Sequence, residues 1–226
     1  MTVSQRILDA WDKNAQAWAK TVRGNALASR RLVTDAAIVE QLLSEPDWSS
    51  LLDVGCGEGW LIRALKSERP DAHFTGFDGC AALIDTARAD DRDGDYRHLT
   101  YQQVHRDRFS GPFDRIVCNF SLFEDESVVE LLQRLRDCLT PQNGRLAIQT
   151  LYSDAPKSEW EADSWAGLPD SFREPHPWFK RCEADWFELF TRMGLEMASV
   201  HYPAYPDSDR VASVIFVLKT GNRHPQ

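Results

Sequence analysis

No two of the five cysteines, Cys56, Cys80, Cys118, Cys138 and Cys182, stand in a C-x-x-C pair. Zinc cages and redox centres use close thiol spacing, so no metal is expected. An odd number of scattered thiols in 226 residues also argues against a disulfide framework. No run approaches the ~18 consecutive apolar residues of a membrane span. The opening Met1-Thr2-Val3-Ser4-Gln5-Arg6 has no apolar core of the signal-peptide kind. A soluble, reduced, cytoplasmic protein is therefore expected. Positive charge is also short: 26 Lys+Arg face 35 Asp+Glu, a net charge of -9. Nucleic-acid binders neutralise phosphates with Lys and Arg, so this balance speaks against such a partner. There is no internal repeat. A content of 42% hydrophobic and 27% charged residues is that of an ordinary globular chain, which excludes disorder and low-complexity scaffolds.

What is present is a rhythm. Leu32, Val33, Ala36, Ala37, Val39, Leu42 and Leu43 recur at three- and four-residue steps, which predicts a helix that Pro46 stops. Short apolar runs then alternate with helical patterns. Strands are predicted at 51–54, 73–77, 97–104, 113–120 and 145–151, with helices after Gly59, at 81–89 and at 126–139. Such alternation is that of parallel βαβ units. Residues 153–182 break it, being long, irregular and rich in aromatics and proline, as lids and binding loops are. After a helix at 183–192, the runs 195–202 and 211–218 are separated by too few residues for a crossover helix. They should pair antiparallel.

The sharpest signal is Asp53-Val54-Gly55-Cys56-Gly57-Glu58-Gly59-Trp60 at the first strand-to-helix turn. An open parallel sheet binds ligands there, outside the strand ends. Glycines let the backbone turn sharply and approach a ligand, and the following helix offers unpaired N–H groups. Asp78 ends the second strand, where a carboxylate can accept both hydroxyls of a ribose or simply cap the next helix. Nicotinamide and adenosyl cofactors both use such a carboxylate. The glycines separate them: a dinucleotide fingerprint G-x-G-x-x-G starting at Gly55 needs glycine at position 60, which is Trp60.

These residues resemble the first motif of the class I S-adenosylmethionine-dependent methyltransferases. Asp78, the Phe113–Asn119 stretch and Leu139–Leu146 follow in the family's order. The likeness covers about residues 30–220 as architecture, and its texture is similar to small-molecule methyltransferases of the ubiquinone-biosynthesis type. It implies a three-layer, doubly wound, Rossmann-like α/β fold with a seven-stranded, mostly parallel sheet and an antiparallel terminal hairpin. Residues 1–226 would form one methyltransferase domain, with an N-terminal helical cap at 1–45 and a lid-like insertion at 153–182. S-adenosylmethionine would be the cofactor. Asp53 would support its amino group, Gly55, Cys56 and Gly57 would line its methionine part, and Asp78 would take the ribose. His105 would flank the adenine, at a position where the family more often has an acidic residue. Cys118 and Asn119 would lie beneath the sulfonium, and the N-terminal helix with Trp11, Trp18, Arg23 and Arg31 would close over it.

The acceptor side is less marked. His176, in Glu174-Pro175-His176-Pro177-Trp178, and His201, near a strand end, are the candidate general bases, since imidazole titrates near neutral pH. The structural reading of each is the one the residues favour. Trp160, Trp165, Phe172, Trp178, Phe179 and Trp186 are either a satellite core or a lid over an aromatic or apolar small molecule. A nicotinamide oxidoreductase and a non-catalytic binding module on the same fold remain the alternatives. The oligomeric state is not indicated.

Overall fold

The computed structural model describes residues 1–45, 47–165 and 167–221. Pro46, the expected helix stop, lies outside them. Helix α1 (Val3–Arg23) starts at Thr2, whose side chain accepts from the Gln5 N–H at 3.2 Å, and stops at Gly24. A π-helical turn (Arg30–Thr34) runs directly into α2 (Asp35–Leu43). The expected N-terminal helical region is thus two helices with a break between them.

Alternation then builds the sheet: β1 (Ser50–Val54), α3 (Trp60–Glu68), β2 (His73–Asp78), α4 (Ala81–Asp90), β3 (Asp95–His98), β4 (Arg115–Asn119), α5 (Glu126–Asp137) and β5 (Arg145–Thr150). The third strand is shorter than expected from 97–104. It ends at His98, and Tyr101–Gln103 forms a 3-10 turn closed by a Thr100/Gln103 capping box. The irregular stretch contains a small antiparallel ribbon, β6 (Glu159–Glu161) with β7 (Trp178–Lys180). After α6 (Glu183–Arg192), β8 (Leu195–His201) and β9 (Val214–Thr220) pair antiparallel, as expected.

The strand order is β3-β2-β1-β4-β5-β9-β8. β9 slots antiparallel between β5 and β8, and every other pairing inside the first five strands is parallel. Two apolar layers clamp this sheet. In β1 the alternation sends Leu52 and Val54 to one face and Leu51 to the other. The first face packs on α5 and α6. Val128, Leu131, Leu132 and Leu135 of α5 fall at helical spacing and are fully buried, each contributing about 1.5–3 kcal/mol of burial. The second face packs on α2, α3 and α4 through Ile38, Leu42, Leu61, Ile62, Leu65 and Ile84. Among the described residues no helix is long and apolar enough to cross a membrane. All five cysteines are buried and unpaired.

Candidate active site

The carboxyl ends of β1, β2 and β4 meet where β1 turns into α3. The backbone N–H groups of Gly55 and Cys56 both donate to the Phe77 carbonyl, at 2.8 and 2.9 Å, which pins the turn to β2. Gly55, Gly57 and Gly59 all have positive φ, of 71°, 56° and 81°. A side chain is barred from Gly55 for a second reason: its Cβ would stand 2.4 Å from the Ser121 Cβ. Gly59, which caps α3, is bare because the Tyr96 ring lies against it. Only at Gly57 is the nearest atom, Trp18 Nε1 at 3.5 Å, at ordinary contact distance. At Gly57 the loop therefore presents bare backbone to Trp18 of α1.

Three acidic residues surround it. Asp53 is 2% exposed, and burial pushes its carboxyl up from 3.8 to about 8, with repulsion from Asp78 adding to this. Among the described residues no basic side chain forms an ion pair with it. Asp78 accepts from the Gly57 N–H (2.9 Å) and from the Cys80 N–H (2.8 Å). It thus caps the entry to α4 and braces the glycine loop at once. Burial raises its pKa, the two N–H bonds lower it, and Asp12 of α1 repels it. Glu58 is fully buried against Arg63, with Arg23 of α1 at 4.0 Å, and its Oε1 has no partner among the described residues.

Cys56 turns its thiol into the core, where it would touch a Cβ at Gly76, so it faces the crevice with backbone alone. At the end of β4, Asn119 Oδ1 and Ser121 Oγ are buried without hydrogen-bond partners among the described residues. His105 is exposed just before the 3-10 turn Arg106–Arg108. Leu8 of α1 covers Gly79, its Cδ2 2.5 Å from where a Cβ would be.

A second cluster adjoins this loop. Rings of Trp11 and Trp18 from α1, Phe123 from the β4–α5 loop, and Trp165, Phe172 and His176 from the irregular segment touch one another at centroid distances of 5.0–6.5 Å. Buried Asn14 fastens the irregular segment to α1. Its amide donates to the Arg173 carbonyl (2.7 Å) and its carbonyl accepts from the Arg173 N–H (2.8 Å). Arg6–Asp163 and Lys13–Glu174 ion pairs add to this. His176 is therefore brought beside α1 and the end of β4. His201 is not: it is exposed on β8, with β9 and β5 between it and β4, and its Nε2 meets Ser199 Oγ at 3.0 Å. Trp160 and Phe179 pack on each other in the ribbon, and Trp186 stacks in the core under α6.

Residues 26–200 match the family described as methyltransferase domain, more than half of the chain. The chain belongs to that family. The nicotinamide alternative falls with this match, in agreement with the inserted antiparallel strand β9. Among relatives of this methyltransferase-family chain, an O-methyltransferase of Dictyostelium discoideum is 25% identical over 171 residues, 72% of this chain and 44% of the relative. A trans-aconitate 2-methyltransferase of Deinococcus radiodurans is 31% identical over 111 residues, 49% of this chain and 41% of the relative. The chain thus spans less than half the length of either. A magnesium protoporphyrin IX methyltransferase from Synechocystis, solved with bound S-adenosylmethionine, shares the fold: TM-score 0.67, 13% identity and 98% of both chains covered.

Sequence reasoning missed Ser121, Phe123, Asp12 and Asn14. Nothing local marks Ser121, Phe123 or Asp12. Each becomes part of the site only because α1 and the β4–α5 loop fold onto the same sheet edge. The one available signal was Asn14, a polar residue within the apolar stripe of Ile7, Ala10, Ala15 and Ala19.

Proposed function

We propose that this chain is an S-adenosylmethionine-dependent methyltransferase whose acceptor is a small aromatic or apolar molecule. The observation that carries the cofactor reading is Asp53: a buried carboxyl with no ion-pair partner among the described residues, at the base of the glycine loop. A cationic ligand is what such a group lacks. The cradle fits the cofactor. Asp53 would hold its ammonium group, the backbone of Gly55, Cys56 and Gly57 would line its methionine part, and Asp78 would accept from the ribose hydroxyls. Asn119, whose Oδ1 has no partner among the described residues, would lie beneath the sulfonium, and His105 would stand on the adenine side.

When bound, S-adenosylmethionine supplies a methyl group already activated for transfer, its bond to sulfur breaking as an acceptor lone pair takes the carbon. The protein's share is to align donor and acceptor, exclude water and accept a proton. The ring cluster over the end of β4 excludes water. His176 is the proton acceptor in this reading, because it is buried beside that cluster while His201 is exposed three strands from β4. The net charge of -9 favours a small molecule over nucleic acid, and five free thiols suit a reducing cytoplasm.

Calorimetry with S-adenosylmethionine and S-adenosylhomocysteine tests the cofactor. Both should bind, and Asp78→Ala should weaken binding at least tenfold without unfolding the chain. Absence of binding of either at millimolar concentration to folded protein overturns the reading.

A further inference from the structure

The ring cluster holds two buried polar atoms of opposite character. Trp11 Nε1 carries a hydrogen and can only donate. His176 Nδ1 lies 2.8 Å from the Pro177 carbonyl, which can only accept, so the ring hydrogen sits on Nδ1. Nε2 is left with its lone pair. Neither Trp11 Nε1 nor His176 Nε2 has a partner among the described residues, and His176 is 5% exposed. Their rings lie 5.9 Å apart. Phe123 touches both, at 5.8 and 5.2 Å, and so does Trp165, at 5.4 and 5.0 Å. A donor and an acceptor thus stand within one ring cluster, each lacking the partner that a buried polar group needs.

Resting on the methyltransferase reading, we infer that the acceptor is a neutral hydroxylated aromatic compound whose O–H lies between Trp11 and His176. One group satisfies both atoms: a hydroxyl, whose oxygen accepts from Trp11 Nε1 and whose hydrogen is donated to His176 Nε2. Oxygen then keeps a second lone pair for the incoming methyl carbon. As the O–C bond forms and the C–S bond breaks, with its electrons staying on sulfur, the hydroxyl proton passes to Nε2. The imidazolium then releases it to solvent, and the product is an aryl methyl ether.

A neutral aryl amine fits less well, because its single lone pair would be held by Trp11 and withheld from carbon. A carboxylate has no hydrogen for Nε2 and would set an anion against that lone pair. Burial lowers the pKa of His176, against smaller opposing effects from the Pro177 carbonyl and Asp163, with Arg6 adding to the lowering. The imidazole is thereby kept neutral and ready to accept. Trp11 is accordingly a specificity-determining residue and His176 the proton acceptor.

The full chain, first saturated with S-adenosylhomocysteine, is titrated calorimetrically with naphthol, naphthylamine and naphthoate, which share one ring system. Naphthol should bind at least tenfold more tightly than the other two. Trp11→Phe, which keeps a ring and removes the N–H, should lower naphthol affinity about tenfold, the equivalent of one ~1.4 kcal/mol hydrogen bond, and leave naphthoate unchanged. His176→Gln should do the same, and provides the test if Trp11→Phe does not fold. With S-adenosylmethionine, mass spectrometry should detect the naphthyl methyl ether. Equal binding of the three probes, no binding of naphthol, or indifference of naphthol to the folded variants overturns the hydroxyl assignment alone. Failure of S-adenosylhomocysteine to bind at the outset overturns the cofactor reading, and this inference with it.

Discussion

Asp53→Asn should make the unliganded protein more stable and the cofactor complex weaker. The folded chain holds the Asp53 carboxyl at about 8, against 3.8 for an unperturbed one, chiefly through lost hydration. A raised carboxyl pKa means that the unfolded chain binds fewer protons between those values. Stability should therefore fall as pH rises from about 4 to about 8, and level off beyond. By about pH 7 the loss spans roughly 3 pH units at about 1.4 kcal/mol each, a ceiling of about 4 kcal/mol. Asparagine has nearly the same shape and cannot ionise, so the variant lacks that slope. Urea unfolding of both proteins at about pH 5, 6, 7 and 8 should show the curves diverging, with the variant ahead by up to about 4 kcal/mol at neutral pH. Each kcal/mol corresponds to about 2–4 °C in Tm for a chain of this size. The same substitution removes the counter-charge for the ligand's ammonium, so affinity for S-adenosylmethionine should fall at least tenfold. Parallel stability curves for the two proteins would refute the claim that Asp53 is a buried, uncompensated carboxyl.

Three further outcomes are expected. Gly55→Ala places a Cβ 2.4 Å from that of Ser121 at a φ of 71°, which should lower stability by about 1–3 kcal/mol. Adding Ser121→Gly should recover part of it, read as a non-additive double-mutant cycle in urea. Asn14→Ala removes both bonds to Arg173. Hydrogen–deuterium exchange of residues 167–176 should then accelerate, while the amides of β1 and β4 keep their protection. Asp78→Asn removes a charge but keeps an acceptor for only some of the loop's N–H groups. Cofactor affinity should fall, and the Gly57 and Cys80 amides should exchange faster, whereas loss of a residue serving only as a helix cap would leave cofactor affinity and the Gly57 amide unchanged.

Much of the fold was written locally. Leu51-Leu52-Asp53-Val54 running into three glycines marks a strand ending in a loop, because only glycine takes positive φ there without strain. The spacing of Val128, Leu131, Leu132 and Leu135 fixes α5, and the eight residues between 202 and 211 force an antiparallel return. Asp53 and Asp78 were legible for the same reason, being tied to strand ends whose place in a parallel sheet is set by the chain's own rhythm. The third strand was overextended because Tyr101 and Val104 look strand-like, whereas the Thr100/Gln103 capping box closes a 3-10 turn there. What the sequence could not settle is which distant segments share the sheet edge. Trp11, Phe123, Trp165 and His176 stand up to 165 positions apart, and no periodicity links them. Only the docking of α1 and residues 153–182 onto the end of β4 makes them one cluster. Burial of His176 and the choice between its two ring nitrogens likewise follow from packing, since a lone imidazole carries no preference of its own until a neighbouring carbonyl imposes one.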